Sequence, residues 1–245
     1  MTIKILLLDI ETSPLTAYVW GLWDQNIGLN QIIDSSSTLC WAARWLGEKE
    51  VMFDSVHKSG HTKMIERIHA LVDEADAVVH YNGRKFDMPV LHKEFLLLGM
   101  APPAPYKDID LLKVVRQKFR FPSNKLDYVS QALGIGNKVK HMGMGLWKDC
   151  MAGDGKAWKL MEKYNKQDVV LLEKLYNKLL GWIPNHPNHG LYVDSDTPVC
   201  RNCGTDKLQL RGFSFTTTGK YQRYQCKCCG SWGRGKKMLG SAEVR

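Results

Sequence analysis

The 245-residue chain has no run of the roughly 18–20 apolar residues that a membrane helix requires. Its N-terminal apolar run is short and holds Asp9, which makes it a poor signal peptide, so the chain is expected to be soluble and intracellular, in the cytoplasm, with no membrane partner. Internal repeats and long low-complexity segments are also missing, which excludes solenoids and biased tails. Outside the last fifth of the chain cysteine is scarce, with only Cys40 and Cys150. No histidine pair has metal-ligand spacing; His57, His61, His69, His92, His141, His186 and His189 stand apart. Acids are nearly absent from residues 197–245, where ten Lys/Arg face only Asp206 and Glu243, so this tail carries +8 of the formal +9. Such asymmetry points the tail toward a polyanion, the alternative being a merely solubilising segment.

The other five cysteines lie in the tail. Four form two matching pieces, Cys200-Arg-Asn-Cys203-Gly204 and Cys226-Lys-Cys-Cys229-Gly230. Paired C-x-x-C steps some 20 residues apart predict a four-thiolate zinc site, structural because it leaves no open position, with Cys228 a spectator. Glycine after each pair suits the tight turn that aims N–H groups at sulfur. Hairpin strands are expected at 207–215 and 220–225. Phe213, Phe215, Tyr221, Tyr224 and Trp232 interleave with the cations, so bases can stack while Lys and Arg follow phosphates. About half of these rings are expected to pack the small ribbon core instead.

Three buried-acid anomalies mark the remainder. Residues 3–12 read as a strand buried on both faces, yet it ends in Asp9 and Glu11, which alternation sends to one side. Two dehydrated carboxylates repel each other, and hard oxygen donors favour Mg²⁺ or Mn²⁺ between them. Residues 157–180 predict a helix whose apolar stripe (Leu160, Met161, Tyr164, Leu171, Leu172, Leu175, Leu179) is interrupted by Asp168, one turn after Tyr164. The third is Asp87, in His80-Tyr-Asn82-Gly-Arg-Lys-Phe86-Asp87, beyond a short strand at 77–81, where ligand sites gather in α/β sheets.

Further strands are expected at 16–20, 39–46 and 51–56, and helices at 61–74, 88–98, 111–119 (capped by Asp110) and from Ser123 or Asn124 to about Gly134. Residues 134–155 read as an irregular Gly-rich loop, and 183–197 as a linker. Together these predict an α/β chain, a mixed sheet flanked by helices, with a small appended zinc ribbon. The organisation expected is one large domain at 1–182, the linker, and a basic ribbon at 198–245.

Asp9-Ile-Glu11-Thr12, Asn82-x-x-x-Phe86-Asp87 and Tyr164-x-x-x-Asp168 resemble the three motifs of the DEDDy group, the tyrosine-bearing branch of DnaQ-like 3′→5′ exonucleases with an RNase H-like fold. The opening Asp-Ile-Glu-Thr-Ser-Pro is most similar to the proofreading domains of family B DNA polymerases. The resemblance covers residues 1 to about 182 and implies a stand-alone 3′→5′ exonuclease acting on DNA ends, a hydrolase of replication or repair. It implies two Mg²⁺ or Mn²⁺ ions, bridged by Asp9, with Glu11 and Asp168 completing one site, Asp87 supporting the other and Tyr164 orienting the attacking water. Thr12, Leu15, Asn82 and Phe86 would contact substrate, a single-stranded DNA or DNA 3′ end; for Leu15 and Phe86 a core role is the equal alternative. Asp110 and Asp127 would be accessory acids, or a cap and an exposed helix residue; Lys138, Lys140, His141 and Lys148 would touch phosphates, or be solvated. An RNA-directed or structure-specific nuclease of the same fold is the second reading, and a non-catalytic nucleic-acid-binding module the third. The ribbon is not part of the family pattern; it would grip substrate or dock on another replication protein.

Overall fold

The computed structural model of the chain describes residues 3–140, 142–195 and 197–243, so His141 lies outside the described residues. Its centre is a five-stranded sheet, ordered β5-β4-β1-β6-β7. Here β1 is Ile5–Thr12, β4 Thr38–Trp45, β5 Met52–Ser55, β6 Ala77–His80 and β7 Lys107–Asp110. β4 runs antiparallel to β1 and β5, whereas β1, β6 and β7 are parallel. The mixed α/β sheet flanked by helices is therefore as the sequence predicts.

Strand β1 is central because Ile5–Leu8 and Ile10 are apolar and both its faces are covered. Leu6, Leu8 and Ile10 face α2 (His61–Asp73) and α3 (Asp87–Leu97), through Met64, Ile65, Ile68 and Leu91. Ile5 and Leu7 face the opposite core, built with α4 (Leu111–Lys118), α5 (Leu126–Ala132), α6 (Met144–Met151) and α7 (Gly155–Leu179). Burying side chains of this size contributes roughly 1.5–3 kcal/mol each. Asp9 and Glu11 continue the Ile5–Leu7 side, so the alternation that builds the core also aims both acids at α7, which packs over β1 and β4. α7 is capped by Asp154, which accepts from the Lys156 N–H at 2.7 Å.

Several expectations change. The strand expected at 16–20 shrinks to β2, Thr16–Ala17, which pairs with β3, Ile32–Asp34, outside the main sheet. Residues 18–31 protrude instead, because no neighbouring element offers a face for their apolar side chains. Met144–Met151 is helical within the stretch expected to be irregular, with Leu146 and Cys150 buried at i and i+4. α5 begins after Lys125 with no side-chain cap, so neither Ser123 nor Asn124 caps it. Asp110 does cap α4, accepting from Leu112 and Lys113 N–H at 3.0 and 3.4 Å.

The tail is a three-stranded antiparallel sheet, β8 (Leu208–Phe215), β9 (Gly219–Cys226) and a third strand the sequence does not betray, β10 (Trp232–Ser241). It packs against the end of α7. Asn202, buried, donates to the Leu180 carbonyl at 2.6 Å, and Arg201 donates to the Pro184 carbonyl at 2.9 Å. Gly181 lies under Cys229 so closely that a Cβ there would stand 2.3 Å from the Cys229 carbonyl oxygen. Residues between the two are held as well: Tyr176 Oη lies 2.6 Å from His186 Nε2, both buried. No helix among the described residues is long and apolar enough to cross a membrane.

Candidate active site and metal centres

The carboxyl ends of the parallel strands bring the acids together. One ligand oxygen each from Asp9, Glu11 and Asp168 lies within 4.8 Å of the others. Asp168 reaches β1 because α7 crosses that strand with Met161, Tyr164, Asn165 and Asp168 on its buried face. Asp87 begins α3 on the other side of β1, and its Oδ1 accepts from the Ile10 N–H at 3.1 Å. It is pinned to the backbone between Asp9 and Glu11, beside the three-acid group rather than within it.

Charge crowding shows in the acid strengths. Burial first, then the charges of Asp168, Asp87 and Glu11, raises the Asp9 carboxyl well above its ordinary range. Glu11 is pushed up to about 8 by burial and by Asp168. Burial also lifts Asp87 to about 6, against the opposing effects of His80 and of N–H donors. The Tyr164 hydroxyl is raised above its normal value by burial and by Glu11 and Asp168, so it stays protonated.

Two residues join this cluster without having been placed there from sequence. Asn165 Nδ2 donates to Asp9 Oδ2 at 2.6 Å and lies 3.3 Å from the Asp9 carbonyl oxygen. Its signal was available: it stands three residues before Asp168 on the stripe, but an asparagine beside a tyrosine motif reads as a spacer. Lys138, expected to touch phosphates or solvent, pairs with Asp168 Oδ2 at 2.5 Å and reaches the Tyr164 hydroxyl at 3.4 Å. Burial opposes its charge, but Asp168 overrides that and raises its pKa. The loop that carries it is fixed by Asp127, which accepts from the Lys138 N–H at 3.0 Å and from Gln131 Nε2 at 2.7 Å. Asp110 thus caps α4 as expected, whereas Asp127, half-buried rather than exposed, holds the Lys138 backbone.

None of the remaining expected residues belongs to the three-acid group. Asn82 follows β6 in a left-handed conformation, φ +72°, its N–H held by Asp110 Oδ1 at 3.0 Å. Gly83 beside it allows the turn to lie on His80, since a Cβ there would come within 2.4 Å of the imidazole. Leu15 and Phe86 are both exposed, so neither packs the core; Thr12 is half-buried at the bulge that ends β1. A cavity of about 530 Å³ opens beside Asp9, with Tyr81, Asn82, Arg116, Lys125 and Lys138 among its walls. Lys140 and Lys148 are exposed.

The second donor cluster is Cys200, Cys203, Cys226 and Cys229, whose sulfurs all lie within 4.8 Å. Cys200–Cys229 and Cys203–Cys226 stand 3.6 Å apart, too far for disulfides and near the ~3.8 Å edge of a tetrahedron with Zn–S arms of about 2.3 Å. Gly204 and Gly230 both have positive φ, 72° and 75°, the turns that the paired motifs require. Cys228 and Cys229 N–H groups donate to Cys226 Sγ at 3.3 and 3.4 Å, and the Cys228 thiol itself is exposed. Cys40 and Cys150 are buried thiols apart from this group.

None of the five ribbon aromatics is fully buried. Three carry their own cation instead: Lys220 over Phe213 at 4.0 Å, Arg234 over Tyr221 at 4.4 Å and Arg223 over Trp232 at 5.0 Å. The expectation that half would pack a ribbon core fails because a three-stranded sheet this small has no second layer to cover them. A cavity of about 1000 Å³ on this sheet is walled in part by Tyr224, Arg234, Lys236 and Lys237.

Comparison with known proteins gives three findings. The family model of the RNase_H superfamily matches residues 6–180. An uncharacterized 48.3 kDa protein of insertion element ISM1 from Methanobrevibacter smithii is 36% identical over 75 residues, 24% of this chain and 19% of that protein. The family B DNA polymerase from the hyperthermophilic archaeon Pyrobaculum calidifontis superposes with a TM-score of 0.57 at 17% identity, over 73% of this chain and 25% of the polymerase. The chain therefore spans a quarter or less of either relative, and the polymerase likeness is one of fold.

Proposed function

The chain belongs to the RNase H superfamily, and on that premise we propose that it is a divalent-metal-dependent nuclease of the DEDDy type, a 3′→5′ exonuclease that releases nucleotides from DNA ends. The observation that carries this reading is the convergence of Asp9, Glu11 and Asp168, with Asp87 and Tyr164 alongside, from three distant segments. Asn165, Lys138 and the Ile10 N–H donate to Asp9, Asp168 and Asp87, yet the buried acids still raise one another's pKa values, the behaviour expected of ligands for hard cations.

Asp9, Glu11, Asp87 and Asp168 would hold two Mg²⁺ or Mn²⁺ ions. When bound, such ions stabilise the charge on the attacking and leaving oxygens of an in-line displacement. The chain's own residues do the rest. Asn165 holds one Asp9 oxygen, fixing which way the carboxylate presents the other. Tyr164 is a protonated hydroxyl, suited to orienting the attacking water by a hydrogen bond rather than to taking its proton. Asn82, Phe86, Thr12 and Leu15 would position the terminal nucleotide.

We read residues 1–182 as the nuclease unit, 183–197 as a connector and 198–245 as a ribbon closed by one structural Zn²⁺. The tail's +8 charge and its cation-paired aromatics support a grip on single-stranded nucleic acid.

The test uses 3′-labelled and 5′-labelled DNA and RNA single strands, with Mg²⁺ and then with EDTA. Shortening of DNA from the 3′ end only, abolished by EDTA, is the expected result. Internal cuts, or preference for RNA, would replace the exonuclease reading with that of another nuclease of the same fold. Binding without cleavage would leave a nucleic-acid-binding module.

A further inference from the structure

Between Ser13 and Ser37 the chain leaves the sheet immediately after Thr12 and returns immediately before β4. The neck is closed by hydrogen bonds between the two serines: Ser13 N–H donates to the Ser37 carbonyl at 2.8 Å, and Ser37 N–H to Ser13 Oγ at 2.9 Å. Beyond the neck only β2–β3 and a single 3₁₀ turn at Leu29–Gln31 give the excursion regular structure. Its tip is apolar yet uncovered. Tyr18 is 74% exposed, Trp20 98% and Trp23 81%, with Leu22 and Leu29 also exposed. A patch of this kind marks a surface that something covers.

The composition narrows what that is. Residues 13–37 contain no Lys, Arg or His, and their only charges are Asp24 and Asp34, so this tongue is −2 in a chain that is otherwise +11. It offers a phosphate no cation. It does offer three aromatic faces within six residues, and every base has a face that stacks on such rings. It also grows directly from the strand that presents Asp9 and Glu11, with the exposed Leu15 at its base.

We propose that the tongue is a base-stacking platform for the single strand that feeds the acidic cluster, with Tyr18, Trp20 and Trp23 holding unpaired bases while cations elsewhere follow the phosphates. This deepens, and rests on, the nuclease reading above. Two properties follow from the chemistry. Stacking on neutral rings releases no counterions, so the tongue adds affinity that does not depend on salt. Paired bases are already stacked, so the tongue favours single strands over duplexes.

The experiment is equilibrium binding of fluorescent single-stranded and duplex DNA to the full chain in EDTA, across a range of salt, for the wild type and for Trp20→Ala/Trp23→Ala. Both side chains are exposed, so folding should survive, which circular dichroism and sedimentation check. Single-strand affinity should fall about tenfold or more, by roughly 1–3 kcal/mol for each stacked base lost, with the slope of log K against log salt unchanged and duplex affinity unmoved. Unchanged single-strand affinity overturns the proposal. So does a variant that loses only self-association by sedimentation, which would make the tongue a contact between copies. Cleavage of the same strands in Mg²⁺ is scored separately: tongue-dependent binding without cleavage sinks the nuclease reading alone, and cleavage without tongue dependence sinks this one alone.

Discussion

Asn165 donates to Asp9 Oδ2 at 2.6 Å across the interface between α7 and β1. The bond ties the helix that carries Asp168 to the strand that carries Asp9, a proposed metal ligand. Asn165→Ala should therefore loosen that carboxylate without removing a charge. Cleavage should fall about tenfold to a hundredfold with substrate affinity nearly intact, by analogy with the loss of groups that orient metal ligands. Single-turnover rates and binding in EDTA measure the two effects separately.

Asp9→Ala should abolish cleavage and leave strand binding in place, since it removes a ligand and no substrate contact. In EDTA the same change should raise the melting temperature, because it relieves repulsion among buried carboxylates that raise one another's pKa. Retained cleavage would contradict the assignment.

In the chelated protein, stability should fall as pH rises from about 4.5 toward about 8. Glu11 is shifted from 4.5 to about 8 and Asp87 from 3.8 to about 6, so over this window the folded state binds more protons than the unfolded chain. Stability is then greatest below the unfolded pKa values and is lost as the folded groups ionise. Mg²⁺ should counteract the loss, with a stabilisation larger at pH 8 than at pH 5; thermal melts with and without the ion test this.

Lys138 supplies the cluster with a cation of its own, 2.5 Å from Asp168 Oδ2. Lys138→Met should lower the stability of the chelated protein, by an amount on the order of 1–3 kcal/mol for the loss of a partly buried charged hydrogen bond. It should also increase the stabilisation gained from Mg²⁺. Melting curves of the variant over a Mg²⁺ titration show both signs.

Gly181→Ala should destabilise the contact between the tail and α7, because its Cβ would meet the Cys229 carbonyl oxygen at 2.3 Å and backbone has to move. Proteolysis should then release the ribbon faster. Deleting 197–245 altogether should weaken strand binding and flatten its salt dependence, since it takes away most of the net charge.

The acids were legible because burial and charge conflict in one dimension. Asp9 and Glu11 interrupt an aliphatic strand, and Asp168 interrupts an apolar helical stripe; each is costly alone, so the pattern itself asks for a cation. The paired cysteines were legible because two short loops with fixed spacing set their own turn geometry. Asn165 and Lys138 were not. Lys138 breaks no local pattern, and Asn165, although it stands on the apolar stripe, acquires its role only from what lies across the interface. The third ribbon strand was hidden because its residues are mostly exposed and glycines, Gly233 and Gly235, occupy its two half-buried positions.

Sequence by itself determined the alternation that turns Asp9 and Glu11 to one face, the helix that carries Tyr164 and Asp168, and the cysteine spacing, because these depend on local periodicity and on the cost of burying charge. Only the tertiary structure decided that α7 crosses β1 so that its asparagine meets Asp9, that Lys138 enters the acids, that the ribbon sits on the end of α7, and that residues 18–31 find no cover. Those outcomes depend on how the elements pack, and packing is a property of the whole chain rather than of any stretch of it.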